Sequence, residues 1–280
     1  MLNRASKPFV KLVEKYLPDP YIFVLLLTLI TLVFAVVIQD QSPLTTVQQW
    51  GDGFWGLLTF SMQMLLVLVT GFMLACTPLV KTLLENLARL AKGPGSAIVL
   101  VTLVSLTASW INWGFGLVVG ALFAKALARK VSVDYRLLVA SAYSGFIVWH
   151  GGLAGSVPLT IATPGHFSEA QIGVIGTSET IFSGFNLLLL AIMFVVIPLV
   201  NRLMLPPKSE SVIVDSAKLQ DDALPSATNE RPADRLENSK ALGLLVGFAG
   251  LAYLTNYFIS GGGLNLNIVN TLFLFLAIVL

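Results

Sequence analysis

Residues 109–116 read Ser-Trp-Ile-Asn-Trp-Gly-Phe-Gly (SWINWGFG) and interrupt an apolar run that extends from 97 to 124. A plain membrane helix would carry leucine or valine there; this stretch carries an amide, two indoles and two glycines. Read as one helix, the run would rise about 42 Å. It would also separate two basic stretches, one with Lys81, Arg89 and Lys92 against Glu85, the other with Lys125, Arg129, Lys130 and Arg136 against Asp134. Lys and Arg favour cytoplasmic loops, so a single crossing would put one of these stretches on the wrong side. Two helices of about 13 residues, near 20 Å each and joined at SWINWG, return the chain to the side it left. The spacing therefore predicts a re-entrant helical hairpin near 97–124.

The rest of the chain fits a membrane setting. Of 280 residues, 56% are hydrophobic and only 11% charged, against roughly 25% charged in a soluble domain. Mean hydropathy is +0.83. Apolar runs recur at 21–38, 54–76, 97–124, 137–149, 181–200, 241–260 and 268–280. The fold class expected is an all-α polytopic membrane protein, a secondary-transporter fold with a re-entrant hairpin and broken helices. The net charge of +2 comes with basic residues near segment ends, which reports topology and not a nucleic-acid partner. Cys76 is the sole cysteine, and no metal-ligand spacing occurs, so neither a metal nor another cofactor is expected.

Four regions follow. Residues 1–20 mix Arg4, Lys7, Lys11 and Lys15 with Phe9, Val13 and Leu17, the pattern of an amphipathic helix on the cytoplasmic face. Residues 21–200 form an N-terminal transmembrane bundle, with loops 39–53 and 164–180, which lack Lys and Arg, outside. Residues 201–240, rich in both charges and punctuated by prolines, form a mobile cytoplasmic polar linker. Residues 241–280 begin a second transmembrane part. Its last run, 268–280, rises only about 20 Å, so the chain is expected to be the front of a longer protein.

The spans carry no ionised group at depth, only neutral polar ones. Asn, Ser and Thr side chains and the freed N–H groups of a broken helix can all donate to a small carboxylate. The candidate substrate-binding residues are Ser109, Asn112 and Gly114 at the hairpin turn, Ser183 and Asn186 at the head of the 181–200 span, and Thr160 and Thr163 beside the TPG turn. His150 in the WHGG break joins them, as an intramembrane ionisable group. Asn112 also reads as a helix-to-helix staple, Ser183 as a helix cap, and His150 as an interfacial side chain bonded to backbone. A catalytic role is not expected, because no nucleophile, metal set or charged relay is present.

The stretches YLPDPYIF (16–23), WGDGFWGLLTFSMQM (50–64), INWGFGLVVGALFAK (111–125), GLAGSVPLTIATPG (152–165) and TIFSGFNLLL (180–189) resemble the bacterial short-chain fatty acid transporters, which include acetoacetate and butyrate permeases. The resemblance covers the chain apart from the linker. It implies a secondary carrier in the inner membrane, driven by a proton or another cation, whose partners are a short monocarboxylate and the bilayer; a homodimer is compatible with it. It also implies, by analogy with transporters built on paired hairpins, that Ser109, Asn112, Ser183 and Asn186 hold the carboxylate. Because glycine can replace His150 in this family, a proton-carrying role common to its members is not expected of His150. A tail pocket of Phe115, Leu117, Phe185 and Leu153 suits such a substrate. A di- or tricarboxylate carrier and a non-transport membrane assembly protein remain the competing readings.

Overall fold

In the computed structural model, residues 2–219 and 239–280 are described, and every regular element among them is helical. The chain divides into two compact units, residues 1–62 and 63–280.

The first unit holds α1 (Leu2–Tyr16), α2 (Pro20–Val37), α3 (Pro43–Gly53) and the start of α4 (Leu58–Ala75). Asp19 opens α2 by accepting the Tyr21 N–H at 2.9 Å, with Pro20 preset at the first helical position. Ser42 opens α3 in the same way, accepting the Thr45 N–H at 3.1 Å. No side chain of α2 is buried. Its 18 residues, mostly leucine, valine, isoleucine and phenylalanine, present an apolar surface suited to lipid.

In the second unit, α4 leads through the short α5 (Pro78–Ala88) into α6 (Pro94–Ile111) and α7 (Trp113–Lys130). These last two are the hairpin anticipated at SWINWG. A single extended residue, Asn112 (φ −154°, ψ 126°), separates them. They run antiparallel and in register: a Cβ on Gly116 would fall on Ser109, and one on Gly120 would meet Ser105 Oγ at 3.0 Å. Their common face buries Ile98, Val101, Phe123 and Leu127. Each arm has 18 residues, not 13. The helices outrun the apolar stretch because Pro94 starts α6 and the basic residues Arg129 and Lys130 close α7, where the helix dipole favours them.

The two basic stretches lie at one end of this hairpin. Glu85 on α5 pairs with Arg129 at 2.8 Å and with Lys130 at 2.7 Å. Those bonds, led by Lys130, hold the Glu85 carboxyl below its ordinary pKa.

The 137–163 segment is interrupted as expected. It comprises α8 (Tyr135–Ser144), a 3-10 turn at Gly145–Gly151, an unwound stretch at 152–155 and α9 (Ser156–Ile161). After the one-turn α10 (Glu169–Ile172), α11 (Gly184–Leu203) packs against α6. There Asn201 donates to Thr102 Oγ1 at 3.0 Å and to Ser144 Oγ at 2.8 Å, joining α6, α8 and α11. The C-terminal pair α12 (Lys240–Ile259) and α13 (Leu266–Val279) form a second helical hairpin. Six helical segments among the described residues are long and apolar enough to cross a bilayer; the protein is a polytopic membrane protein.

The 201–240 linker is described up to residue 219 and from residue 239. Its central part, 220–238, lies outside the described residues. Its first part is docked. The Val212 N–H donates to Asp134 Oδ2 at 2.8 Å, and the Tyr135 N–H donates to Val212 O at 2.9 Å. Arg136 reaches Glu210 O at 3.0 Å, and Arg129 reaches the carbonyl of the buried Leu219 at 3.1 Å. Burial of Asp134 opposes its ionisation. The bonds from Arg136, Val212 and Leu137 outweigh that effect and hold its carboxyl below the ordinary value.

Candidate functional site at the hairpin tip

Asn112 is fully buried and serves both arms of the hairpin. Its N–H donates to Ala108 O at 2.9 Å, closing α6, and its carbonyl accepts the Gly116 N–H at 2.8 Å, opening α7. Its side-chain Oδ1 caps α7 by accepting the Phe115 N–H at 2.9 Å. Because that bond demands an acceptor, the amide orientation follows: Oδ1 faces the helix and Nδ2 faces away. Nδ2 is buried and has no acceptor. Trp113 and Gly114, the first residues of α7, also lack a carbonyl one turn back for their N–H groups. Both the helix dipole and these donors therefore favour an anion at the tip.

Two further segments close around the tip. Helix α4 crosses it backbone to backbone. A Cβ on Gly114 would lie 2.7 Å from Leu68 Cα and 2.8 Å from Val67 O; one on Gly71 would lie 2.8 Å from Gly114 C. The paired glycines permit this approach. The unwound stretch of the broken helix also meets the tip, where the Leu153 N–H donates to Trp110 O at 2.7 Å. Ser109 Oγ, Trp110 Nε1, Trp113 Nε1 and Ser156 Oγ are likewise buried without a partner on these segments. Ser109 faces Gly116 across the hairpin. Residues 109–116 and 149–156 carry no Asp, Glu, Lys or Arg, so every donor here is neutral, His150 aside.

The other candidates divide by position. Asn186 sits beside the break but uses its amide N–H groups on Gly151 O at 3.0 Å and Ile181 O at 2.7 Å; it anchors the end of the 3-10 turn to α11. Ser183 caps α11 by accepting the Asn186 N–H at 3.3 Å, and donates to Thr180 O. Thr160 donates to Ser156 O, and Thr163 to Leu159 O, each at 2.6 Å. Thr163 also accepts the Leu266 N–H at 3.1 Å, tying α9 to the start of α13. His150 is exposed and its ring lies tilted at 54° against that of Trp149, with centroids 4.0 Å apart. Of the expected tail pocket, Phe115 and Leu153 share one apolar cluster with Val67, Leu159 and Leu266. Phe185 is 80% exposed, and Leu117 lines a separate groove, so neither belongs to it.

An indole escaped the sequence reading. Trp113 leaves the tip and packs edge-on against Trp149 at 5.7 Å and Phe146 at 6.3 Å. Its position directly after the break was the available signal, but tryptophans near membrane boundaries also serve as interfacial anchors.

The family model described as short chain fatty acid transporter matches residues 1–280. The chain belongs to the short-chain fatty acid transporter family. Two curated relatives, from Escherichia coli (strain K12) and Haemophilus influenzae (strain ATCC 51907 / DSM 11121 / KW20 / Rd), each carry the name "Putative short-chain fatty acid transporter". The first is 45% identical over 287 residues and the second 40% over 292, in both cases across 100% of this chain. The chain spans about 65% of the length of either relative. No solved structure matches it. The broken helix and the hairpin are thus features of a short-chain fatty acid transporter family member, and they set the geometry of its candidate site.

Proposed function

We propose that this family member is a secondary carrier of short-chain fatty acids such as butyrate or acetoacetate, and that the SWINWGFG tip holds the substrate carboxylate. The observation that carries the reading is the Asn112 amide nitrogen, fully buried, turned away from its own helix and without an acceptor. A carboxylate supplies that acceptor and lies at the positive end of α7. Ser109 and Ser156, buried without partners, are further donors for it. Phe115 and Leu153 provide apolar surface for a short tail.

Because Asn112 has no exposed surface, substrate entry requires α4 or the unwound stretch to move off the tip. Such a movement, alternating between two sides, is how a carrier exposes a fixed site. Uptake is coupled to a proton or another cation. The protein lies in the inner membrane with its N-terminus and both basic stretches in the cytoplasm, the arrangement Lys and Arg favour.

The test is uptake of labelled butyrate and acetoacetate into proteoliposomes carrying the full-length protein, with pH and Na⁺ gradients imposed separately. Accumulation driven by one gradient is the expected result. Uptake of dicarboxylates with no monocarboxylate uptake would overturn the substrate assignment.

A further inference from the structure

Helices α4 and α13 meet through amides. Asn270 Nδ2 donates to Gln63 O at 3.1 Å. A backbone carbonyl takes only a donor, so this bond fixes which way the Asn270 amide is turned. Asn270 Oδ1 points elsewhere. It is buried, in a residue only 8% exposed, and it accepts no hydrogen bond. Beside it, Gln63 Nε2 donates to Asn267 Oδ1 at 2.7 Å. Turning both of these amides would reverse the bond, but in either arrangement one amide oxygen of the pair is left over. Thr271 Oγ1 donates to Asn267 O at 2.8 Å and keeps a lone pair. Asn270 and Thr271 follow Asn267 by three and four residues, so the three side chains are neighbours on the helix surface.

This cluster lies close to the hairpin tip. Gln63 O and Val67 O are one turn apart on α4, about 6 Å, and a Cβ on Gly114 would lie 2.8 Å from Val67 O. One turn of α4 therefore meets the tip and the turn before it holds Asn270. The two places have opposite chemistry: unused donors at the tip, unused acceptors between α4 and α13. Gluing two membrane helices together explains the Nδ2 bond but not the idle oxygen. An unsatisfied acceptor at this depth is unfavourable, and a cation relieves it. A neutral amide does not carry a proton, and α4, α13 and residues 109–116 contain no Asp or Glu. Neutral oxygens without a carboxylate suit a metal ion of single charge, which carriers hold in this way. Asn267 is exposed and Asn270 lies one turn deeper, so the cluster opens at the start of α13.

We propose that Asn270 Oδ1, with the free oxygen of the Gln63–Asn267 pair, binds Na⁺, and that α4 couples this ion to the carboxylate at the tip. The ion site stands on the amide geometry; its coupling rests on the transport reading above. The full-length protein in detergent is melted across a series of Na⁺ concentrations, with choline keeping the ionic strength constant. Butyrate uptake into proteoliposomes is followed across the same series at fixed pH. Na⁺ is expected to raise the melting temperature and to drive uptake. Asn270→Leu should raise the Na⁺ concentration for half the melting effect about 10- to 150-fold, the loss of one polar contact to a charge. Asn270→Asp keeps an oxygen there and should retain the response. Asn201→Leu removes another buried amide and should leave the half-effect concentration unchanged. Reading the Na⁺ response, and not stability alone, separates ion binding from loss of a helix contact. A melting temperature that Na⁺ does not move in the unaltered protein overturns the proposal. So does a Na⁺ response, in melting or in uptake, that survives Asn270→Leu. A melting response that Asn270→Leu abolishes, in a protein that takes up no butyrate, upholds the ion site and counts against the substrate reading instead.

Discussion

The Asn112 side-chain oxygen accepts the Phe115 N–H at 2.9 Å, and this one bond leaves the amide nitrogen turned away from α7, buried and without an acceptor. One residue thereby ends a helix, starts the next and presents an unused donor. Its structural and binding roles reside on different atoms, so they can be separated.

Asn112→Ser retains a hydroxyl oxygen able to cap α7 but removes the amide nitrogen. Asn112→Ala removes both. A hydrogen bond to a charged group contributes about 1.5–3 kcal/mol, so both variants are expected to weaken butyrate binding about 10- to 150-fold. Only the alanine variant should also lose cap stability, by about 0.5–2 kcal/mol. Calorimetric binding and detergent-state melting on the same preparations read the two effects. Unchanged butyrate affinity in Asn112→Ser would leave the tip as a packing turn.

Topology offers a second check. Glu85 bonds to Arg129 and Lys130, which puts the 77–96 and 125–136 stretches at one end of the second unit. In a Cys76→Ser background, single cysteines at Lys92 and Ser132 should both resist an impermeant thiol reagent in intact cells and both react after permeabilisation. Labelling of one and not the other from outside contradicts the hairpin's placement in the membrane.

The docked part of the linker should respond to acid. The Asp134 pKa is lowered on folding, so docking is complete above the ordinary Asp value near 3.9 and is lost as pH falls through the lower folded value. Glu85, also lowered, has the same sign. A spin label at Ile213 should be restrained at neutral pH and gain mobility below about pH 4. In Asp134→Ala it should be mobile at every pH. A restrained label in that variant would show that Val212 and Tyr135 hold the segment without the carboxylate.

The Asn201 amide joins Thr102 and Ser144 from three helices. Thr102 and Ser144 also donate to backbone carbonyls of their own helices, so Asn201→Leu leaves neither hydroxyl without a bond. Polar contacts between membrane helices average about 0.6 kcal/mol and reach about 1.7. A loss of stability in that range, seen as a lower melting temperature in detergent, is expected. An unchanged melting temperature would show the contact to be energetically neutral.

Several elements were legible from local chemistry. The break at Asn112, the interruption after Trp149 and the start of α11 at Ser183 all arise from residues that act on their own backbone: an amide or hydroxyl that caps, and glycines that admit close approach. The length of the hairpin arms was less so, because Pro94 and the terminal basic residues extend a helix past the edge of its apolar stretch.

The sequence by itself determined that this is a helical membrane protein, where its helices break, and which family it resembles, because apolar run length, capping groups and long shared strings are local properties. Only the tertiary structure decided which polar groups are already engaged. Asn112 and Asn186 are both amides at helix starts. One keeps an unused N–H, while the other gives its donors to Gly151 and Ile181. Likewise, Val212 looked like part of a polar tether until Asp134, 78 positions earlier, accepted its N–H. The reason is physical: a hydrogen-bonding group is satisfied or left over according to what packing brings within about 3 Å of it, and that neighbour can lie anywhere along the chain.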